Sequence, residues 1–327
     1  MAYFLISVSN RTNLELCIKY ALAGFTNSIN GFWTFVEIEE GDYLSFLYGA
    51  RIFNLYKVIN KKAFMNAKTL PPWPHVTFQM SGKTYYFPFR LYLKPIRKLS
   101  ESMVRPEFAY VAENLLLRGG YRKTHFQADQ ITFYGVSQMG ETYDEKVETL
   151  NINGTQTFVP LLGWDRSNVN IPYSFYFQEL ILQSLIRHYL SKNNFQRQFL
   201  QEIGVDYSIG FEVLGEKALP EGHIDIFLKE REPEGKCHKI IIEVKTAKAS
   251  KKDIKQLKEY MREMSNECIG GVIIASQFSK FMLEYAKDNG ISCFSYSFEG
   301  LDKNLKYSFE NLLDKLKLTF KGGIVYG

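Results

Sequence analysis

The sequence predicts an α/β (α+β) protein in two parts, and three observations predict it. Residues 1–165 carry many short strand-like runs separated by turn signals. Residues 166–327 carry a hairpin followed by alternating helical and strand-like segments. At 327 residues the chain is also longer than one ordinary domain. The first part reads as a small β-barrel with helices, and the second as a mixed β-sheet flanked by helices. Residues 163–172, with Asp165, Asn168 and Asn170, are the expected linker.

In the first part, residues 3–8 read as a strand, and 13–22 as a helix stopped by Gly24. Residues 32–38, 43–47 and 53–59 read as strands, with the turn Glu40-Gly41-Asp42 between the first two. Further strands are expected at 76–80, at 83–89 beyond the Ser81-Gly82 turn, and at 91–96. The run Pro71-Pro72-Trp73-Pro74-His75 reads as a surface loop, since a proline-rich connection is rarely interior. Residues 113–127 read as a helix broken by Gly119-Gly120 into a basic aromatic loop, and 134–159 carry no motif.

The second part is the more informative. Residues 222–228 and 240–245 are apolar runs of strand length, joined by a polar loop with Arg231, Pro233 and Gly235, which makes a hairpin. Side chains alternate on a strand, so Glu243 and Lys245 share one face and Val244 takes the other. The neighbouring strand can bring Asp225 to the same face. Two carboxylates then converge as oxygen ligands for a hard divalent cation such as Mg²⁺, and Lys245 is placed to orient or deprotonate a water. That donor set suits phosphodiester hydrolysis.

Residues 252–264 carry Ile254, Leu257 and Met261 at helical spacing, with Gln256 and Tyr260 four apart on a shared face. Strands follow at 271–275 and 291–294, with a helix at 278–289 between them. Upstream, residues 175–191 form a helix with a wide apolar stripe, and Glu179 stands at its edge, facing the sheet. Glu212 is a further acid for the same neighbourhood. An E-x-K on a strand is usually a half-solvated surface and a helical Glu usually a solvated charge. The set Asp225, Glu243, Lys245, Gln256 and Tyr260 taken together argues against that plainer account.

Residues 173–296 resemble the PD-(D/E)xK nuclease superfamily, in particular the RecB-like branch with a Q-x-x-x-Y element, here Gln256-Leu257-Lys258-Glu259-Tyr260. The resemblance implies Asp225, Glu243 and the Val244 carbonyl as ligands of Mg²⁺, with Mn²⁺ as substitute. It implies Lys245 as the water-positioning residue and Glu179 as the first-helix acid. Gln256 and Tyr260 would support the site or touch the nucleic-acid backbone. One departure is that Ile224, not proline, precedes Asp225.

The first part resembles the EVE and YTH group of PUA-like domains. The likeness lies in the opening strand and helix, Gly24-Phe25, the Glu40-Gly41-Asp42-Tyr43 turn into a strand ending at Tyr48, and Tyr85-Tyr86-Phe87-Pro88-Phe89-Arg90-Leu91. Such domains take a modified base into an aromatic pocket. Phe25, Trp33, Tyr48 and Trp73 would be its walls, with Ser28 and Asn30 as edge readers; singly, each aromatic is more often core. The two resemblances together imply a modification-dependent DNA endonuclease. The alternatives are a nuclease specific for unmodified sequence, DNA structure or RNA, and a catalytically inactive nucleic-acid-binding protein.

Composition sets outer bounds. With 46% hydrophobic and 23% charged residues the chain is globular, and no apolar run is long enough to span a bilayer. The start lacks a signal-peptide pattern, so cytoplasmic location is expected. Four scattered cysteines give neither a zinc pattern nor a disulfide framework. A net charge of +5 is modest, but Lys83, Arg90, Lys94, Arg97, Lys98, Arg105, Arg118, Arg122 and Lys123 fall in one stretch. Arg90, Arg118, Arg122 and Lys123 are the expected DNA-backbone contacts. The expected partner is double-stranded DNA, and cutting both strands calls for a homodimer.

Overall fold

A computed structural model describes all residues except 50, 100–123, 151, 153, 207, 209, 220, 221 and 324–327. The expected contacts Arg118, Arg122 and Lys123, and the helix break at Gly119-Gly120, lie outside the described residues. The chain divides into two compact units, Met1–Tyr176 and Phe177–Gly327. The boundary falls beyond the expected 165/166. Leu161 to Gly163 pair in parallel with Ser174 to Tyr176, so 163–172 is a loop between two paired strands of the first unit, not a linker.

The first unit opens with β1 (Tyr3–Ser7), α1 (Arg11–Tyr20) and β2 (Leu22–Phe25). The Asn10 side chain accepts from the Asn13 N–H and starts α1, and Ala21, at φ 43°, ends it ahead of Gly24. Residues expected as a strand at 32–38 are instead α2 (Ile29–Glu37), capped by the Ser28 side chain on the Gly31 N–H. The aromatic-rich run Phe32-Trp33-Thr34-Phe35-Val36 fits either period, and the cap decides for the helix. Gly31 is required here, because a Cβ would stand 2.0 Å from the Thr26 carbonyl oxygen.

Then follow β3 (Tyr43–Tyr48), β4 (Arg51–Phe64), the short hairpin β5 (Val76–Thr77) and β6 (Thr84–Tyr85), and β7 (Phe89–Lys98). Beyond these lie β8 (His125–Ala128), α3 (Gln130–Ser137), β9 (Glu141–Thr142), β10 (Thr157–Phe158), β11 (Leu161–Gly163) and β12 (Ser174–Tyr176). The main sheet runs β2-β7-β4-β3-β1-β8, with β10 on β4 and β9 on β7. Among the described residues no pairing joins β8 back to β2. The aromatics fill the interior: Phe32 stacks on Phe175 at 4.6 Å and packs near Phe89, and all three rings are fully buried.

The second unit has α4 (Glu179–Ser191), α5 (Asn193–Glu202), β13 (Phe211–Leu219), β14 (Gly222–Glu230), β15 (Lys239–Lys245) and α6 (Lys251–Glu263). It continues with β16 (Cys268–Ala275), α7 (Lys280–Asp288), β17 (Ile291–Phe298), α8 (Phe309–Lys315) and β18 (Leu316–Gly322). Its six strands lie in sequence order, with β15, β16 and β17 parallel and the outer pairs antiparallel. Parallel neighbours need covered crossovers, and α6 and α7 supply them. Ile254 and Leu257 of α6 and Met282 and Ala286 of α7 bury against Phe227, Ile241 and Ile273 of the sheet. This mixed α+β architecture agrees with the predicted fold class.

Candidate active site

Phe227 of β14 and Ile241 of β15 are cross-strand partners in that buried cluster. Two residues on along each strand, the alternation puts Asp225 and Glu243 on the same face. The ladder between the strands ends at Ile226 and Ile242. Beyond it the Val244 N–H donates to the Asp225 Oδ2 at 2.8 Å, so a side-chain carboxylate takes the place of a strand carbonyl. Asp225 is 9% exposed and Glu243 2%. Lys245, on the same face as Glu243, sets its Nζ 2.9 Å from Glu243 Oε1 and 3.1 Å from Glu179 Oε1. Glu179 is the first residue of α4, and its other oxygen accepts from the Thr246 N–H at 3.4 Å. The structure thus brings Asp225, Glu243, Lys245 and Glu179 together.

Three carboxylates face one ammonium. Burial, then the neighbouring Glu243 charge, pushes the Asp225 carboxyl well above the usual range. Burial also raises Glu243, against the lowering effect of Lys245. Burial alone would lower the Lys245 pKa, but Glu243, Asp225 and Glu179 outweigh it and raise the value, so the side chain is held as a cation. The second Glu243 oxygen, Oε2, is buried with no hydrogen-bond partner. Among the described residues no group of three His, Cys, Asp or Glu converges as a metal cluster. The donor set is two carboxylates, and the third expected donor, the Val244 carbonyl, is main chain. An unsatisfied carboxylate oxygen beside a second carboxylate fits a hard divalent cation.

Gln256 and Tyr260 do not reach the carboxylates. The Gln256 amide donates to the Tyr260 hydroxyl, which in turn accepts from the His223 N–H at 3.1 Å. The pair therefore pins α6 to the start of β14, two residues ahead of Asp225. Gly222 makes room for it, since a Cβ there would stand 2.2 Å from the Tyr260 hydroxyl oxygen. α6 itself starts at a reciprocal cap between Ser250 and Asp253. Two residues at the rim were not read from the sequence. Tyr296 donates to the Thr246 carbonyl at 2.9 Å, and burial with the nearby Glu179 charge pushes its phenol up to about 12. A lone tyrosine on an apolar strand and a threonine after E-x-K carry no motif. Glu212 lies on β13.

The expected reader residues have other surroundings. Trp73 is 4% exposed; its ring lies where a Gly24 Cβ would be and beside the Arg90 guanidinium, so the proline-rich loop carries it inward, not to the surface. Arg90 is fully buried and donates to the carbonyls of Leu70, Pro71 and Phe87, and burial pulls its pKa down to about 10. It is an interior tie and not a DNA-backbone contact. Phe25 is buried, and Trp33, 7% exposed, packs its ring 4.5 Å from His125. Ser28 is spent on capping α2, Asn30 is exposed, and Tyr48 is half-buried.

Residues 203–311 match the family model of the endonuclease NucS C-terminal domain. The match takes in Asp225, Glu243, Lys245, Gln256 and Tyr260, and leaves Glu179 outside. These residues therefore carry an endonuclease-type domain. No curated protein matches the chain. Among solved structures it is similar to a repair endonuclease from Pyrococcus abyssi, at 19% identity over 31% of this chain and 42% of that one, with a TM-score of 0.23. It is also similar to the DNA modification-dependent restriction endonuclease AspBHI, at 10% identity over 83% of this chain and 62% of that one, with a TM-score of 0.20. The chain thus spans less than two thirds of the length of either. No helix among the described residues is long and apolar enough to cross a membrane.

Proposed function

We propose that this protein is a divalent-metal-dependent endonuclease acting on double-stranded DNA, with the second unit cutting and the first selecting DNA that carries a modified base. The observation that carries the cutting half is the convergence of Asp225, Glu243 and Lys245 inside the segment that matches an endonuclease domain, with Glu243 Oε2 left unsatisfied. Asp225, Glu243 and the Val244 carbonyl would hold Mg²⁺ or Mn²⁺. The chemistry such a cation supplies is polarisation of the phosphate and acidification of water.

The residues of the chain do the rest. Glu179 and Glu243 hold the Lys245 ammonium from two sides, fixing where its protons point. A cation fixed there orients an attacking water and offsets charge on the phosphate oxygens. Tyr260, through the His223 N–H, sets the position of the strand that carries Asp225. The resemblance to PD-(D/E)xK nucleases implies products with a 5′ phosphate and a 3′ hydroxyl, and a homodimer would supply one site per strand.

Selection by modification rests on the sequence resemblance of the first unit to modified-base readers. The test is digestion of matched DNAs, unmodified or carrying N6-methyladenine or 5-methylcytosine, with Mg²⁺ or with EDTA. Cutting of one modified DNA, lost in EDTA, is the expected result. Equal cutting of all three would sink the selection half, and cutting that persists in EDTA would sink the metal.

A further inference from the structure

The hairpin β5-β6 stands apart as its own two-stranded sheet. Its base is fixed. Asn27 donates its side-chain amide to the Thr84 carbonyl, and its own N–H to the Tyr86 carbonyl, while its Oδ1 accepts from the Tyr86 N–H. Trp73, just ahead of β5, is buried. The two strands register as Val76 with Tyr85 and Thr77 with Thr84, and the loop closes with the Phe78 N–H on the Lys83 carbonyl and the Gly82 N–H on the Phe78 carbonyl. Gly82, at φ 63°, takes the left-handed position of the turn.

The tip of this stiff hairpin is apolar and bare. Met80 is fully exposed, Phe78 is 45% exposed and Val76 47%. Large apolar side chains raised together into water on a braced turn mark a contact surface. The charge along the same stretch of chain says with what. From Tyr43 to Lys98 there are ten lysines and arginines and not one aspartate or glutamate; Arg90 among them is buried and Lys98 pairs with Glu145. Arg51, Lys62, Lys68, Lys83 and Lys94 of that stretch are exposed. A cationic run that carries an exposed apolar tip is complementary to a polyanion that also offers an apolar interior, which is the stacked core of a nucleic-acid duplex.

We infer that the β5-β6 hairpin is a wedge that inserts Phe78 and Met80 between base pairs of bound DNA, while exposed cations of the same stretch, Lys83 at the hairpin first among them, hold the flanking phosphates. This rests on DNA being the partner of the chain. Apolar side chains pushed between base steps unstack and kink a duplex, and unstacking lowers the cost of turning a base out for inspection.

The experiment uses the full chain in EDTA with short duplexes carrying 2-aminopurine, unmodified or with N6-methyladenine or 5-methylcytosine. Wild-type binding should raise 2-aminopurine fluorescence. The double variant Phe78→Ser, Met80→Ser should bind about tenfold or more weakly and give no such rise, at an unchanged unfolding temperature because both side chains are exposed. If the variant binds as tightly with the same rise, the wedge is overturned, while cutting by wild type would leave the endonuclease reading standing. If the variant instead loses self-association in sedimentation with DNA binding intact, a second copy is what the tip meets, and the inference again fails. If wild type binds none of these DNAs in EDTA and cuts none of them with Mg²⁺, both readings fall together.

Discussion

Lys245 and Arg90 are both basic residues half or wholly withdrawn from water, and their surroundings give them opposite roles. Lys245 faces three carboxylates, two of them within 3.1 Å of its ammonium. Replacing it by alanine should lower the cleavage rate by about 10² to 10⁴ while DNA binding is retained. Single-turnover cleavage alongside an electrophoretic binding assay checks this, and unchanged cleavage would remove Lys245 from the chemistry. Arg90 faces main-chain carbonyls and aromatic rings. Arg90→Ala should cost about 3 kcal/mol of stability in urea unfolding, because a buried side chain is truncated and three main-chain carbonyls lose their charged donor. The salt dependence of DNA affinity should not move, as it would if a phosphate contact had been lost. In the sequence Lys245 reads as a water-positioning residue beside Glu243 and Arg90 as a DNA-backbone contact; only the fold reveals that Arg90 is enclosed.

The elements of the second unit were largely legible, and for a physical reason. A strand such as β15 is buried on both faces and reads as a run of isoleucines, so Glu243 and Lys245 at its end stand out. The parallel crossovers then force helices of recognisable period between strands. In the first unit the short strands and the aromatic-rich α2 give weak periodicity, and a cap at Ser28 outweighs it. The Q-x-x-x-Y pair was legible as a motif, but its role as a brace at His223 was not. That role makes a prediction. Gly222→Ala drives a methyl into the Tyr260 hydroxyl, and should cut kcat while leaving affinity for DNA within about threefold, since displacement here moves Asp225 and not the phosphate contacts. A loss in binding alone, with kcat kept, would contradict it. Separately, Ser250→Ala removes the α6 cap and should cost about 1 kcal/mol by thermal unfolding.

Across the whole molecule, all four cysteines are free thiols, and burial shields Cys17, Cys293 and Cys268. Burial pushes the Cys17 and Cys293 thiols up to about 12 and Cys268 up to about 11. Cys237 is less buried. Native-state alkylation near neutral pH should therefore label Cys237 first and Cys17 and Cys293 only on unfolding. The same shifts set an alkaline limit. A thiol whose folded pKa is raised favours the folded state fully below its unfolded value near 9, and that contribution is lost as pH climbs through the folded value. Urea midpoints should thus decline from about pH 9 upward, and flat midpoints to pH 11 would contradict the burial. The boundary between the units was misplaced because residues 163–172 have the composition of a linker, while β12 beyond them pairs back on β11.

The bond from the Val244 N–H to the Asp225 carboxylate gives the protein a built-in reporter. Neighbouring amides of β15 are held in the sheet ladder and exchange with deuterium only when strands part. The Val244 proton is instead guarded by a side chain, so any event that draws Asp225 away exposes that one position. Its exchange rate should follow occupancy of the carboxylate pair in the absence of any substrate, so a single backbone resonance can be used to titrate the site with Mg²⁺ alone.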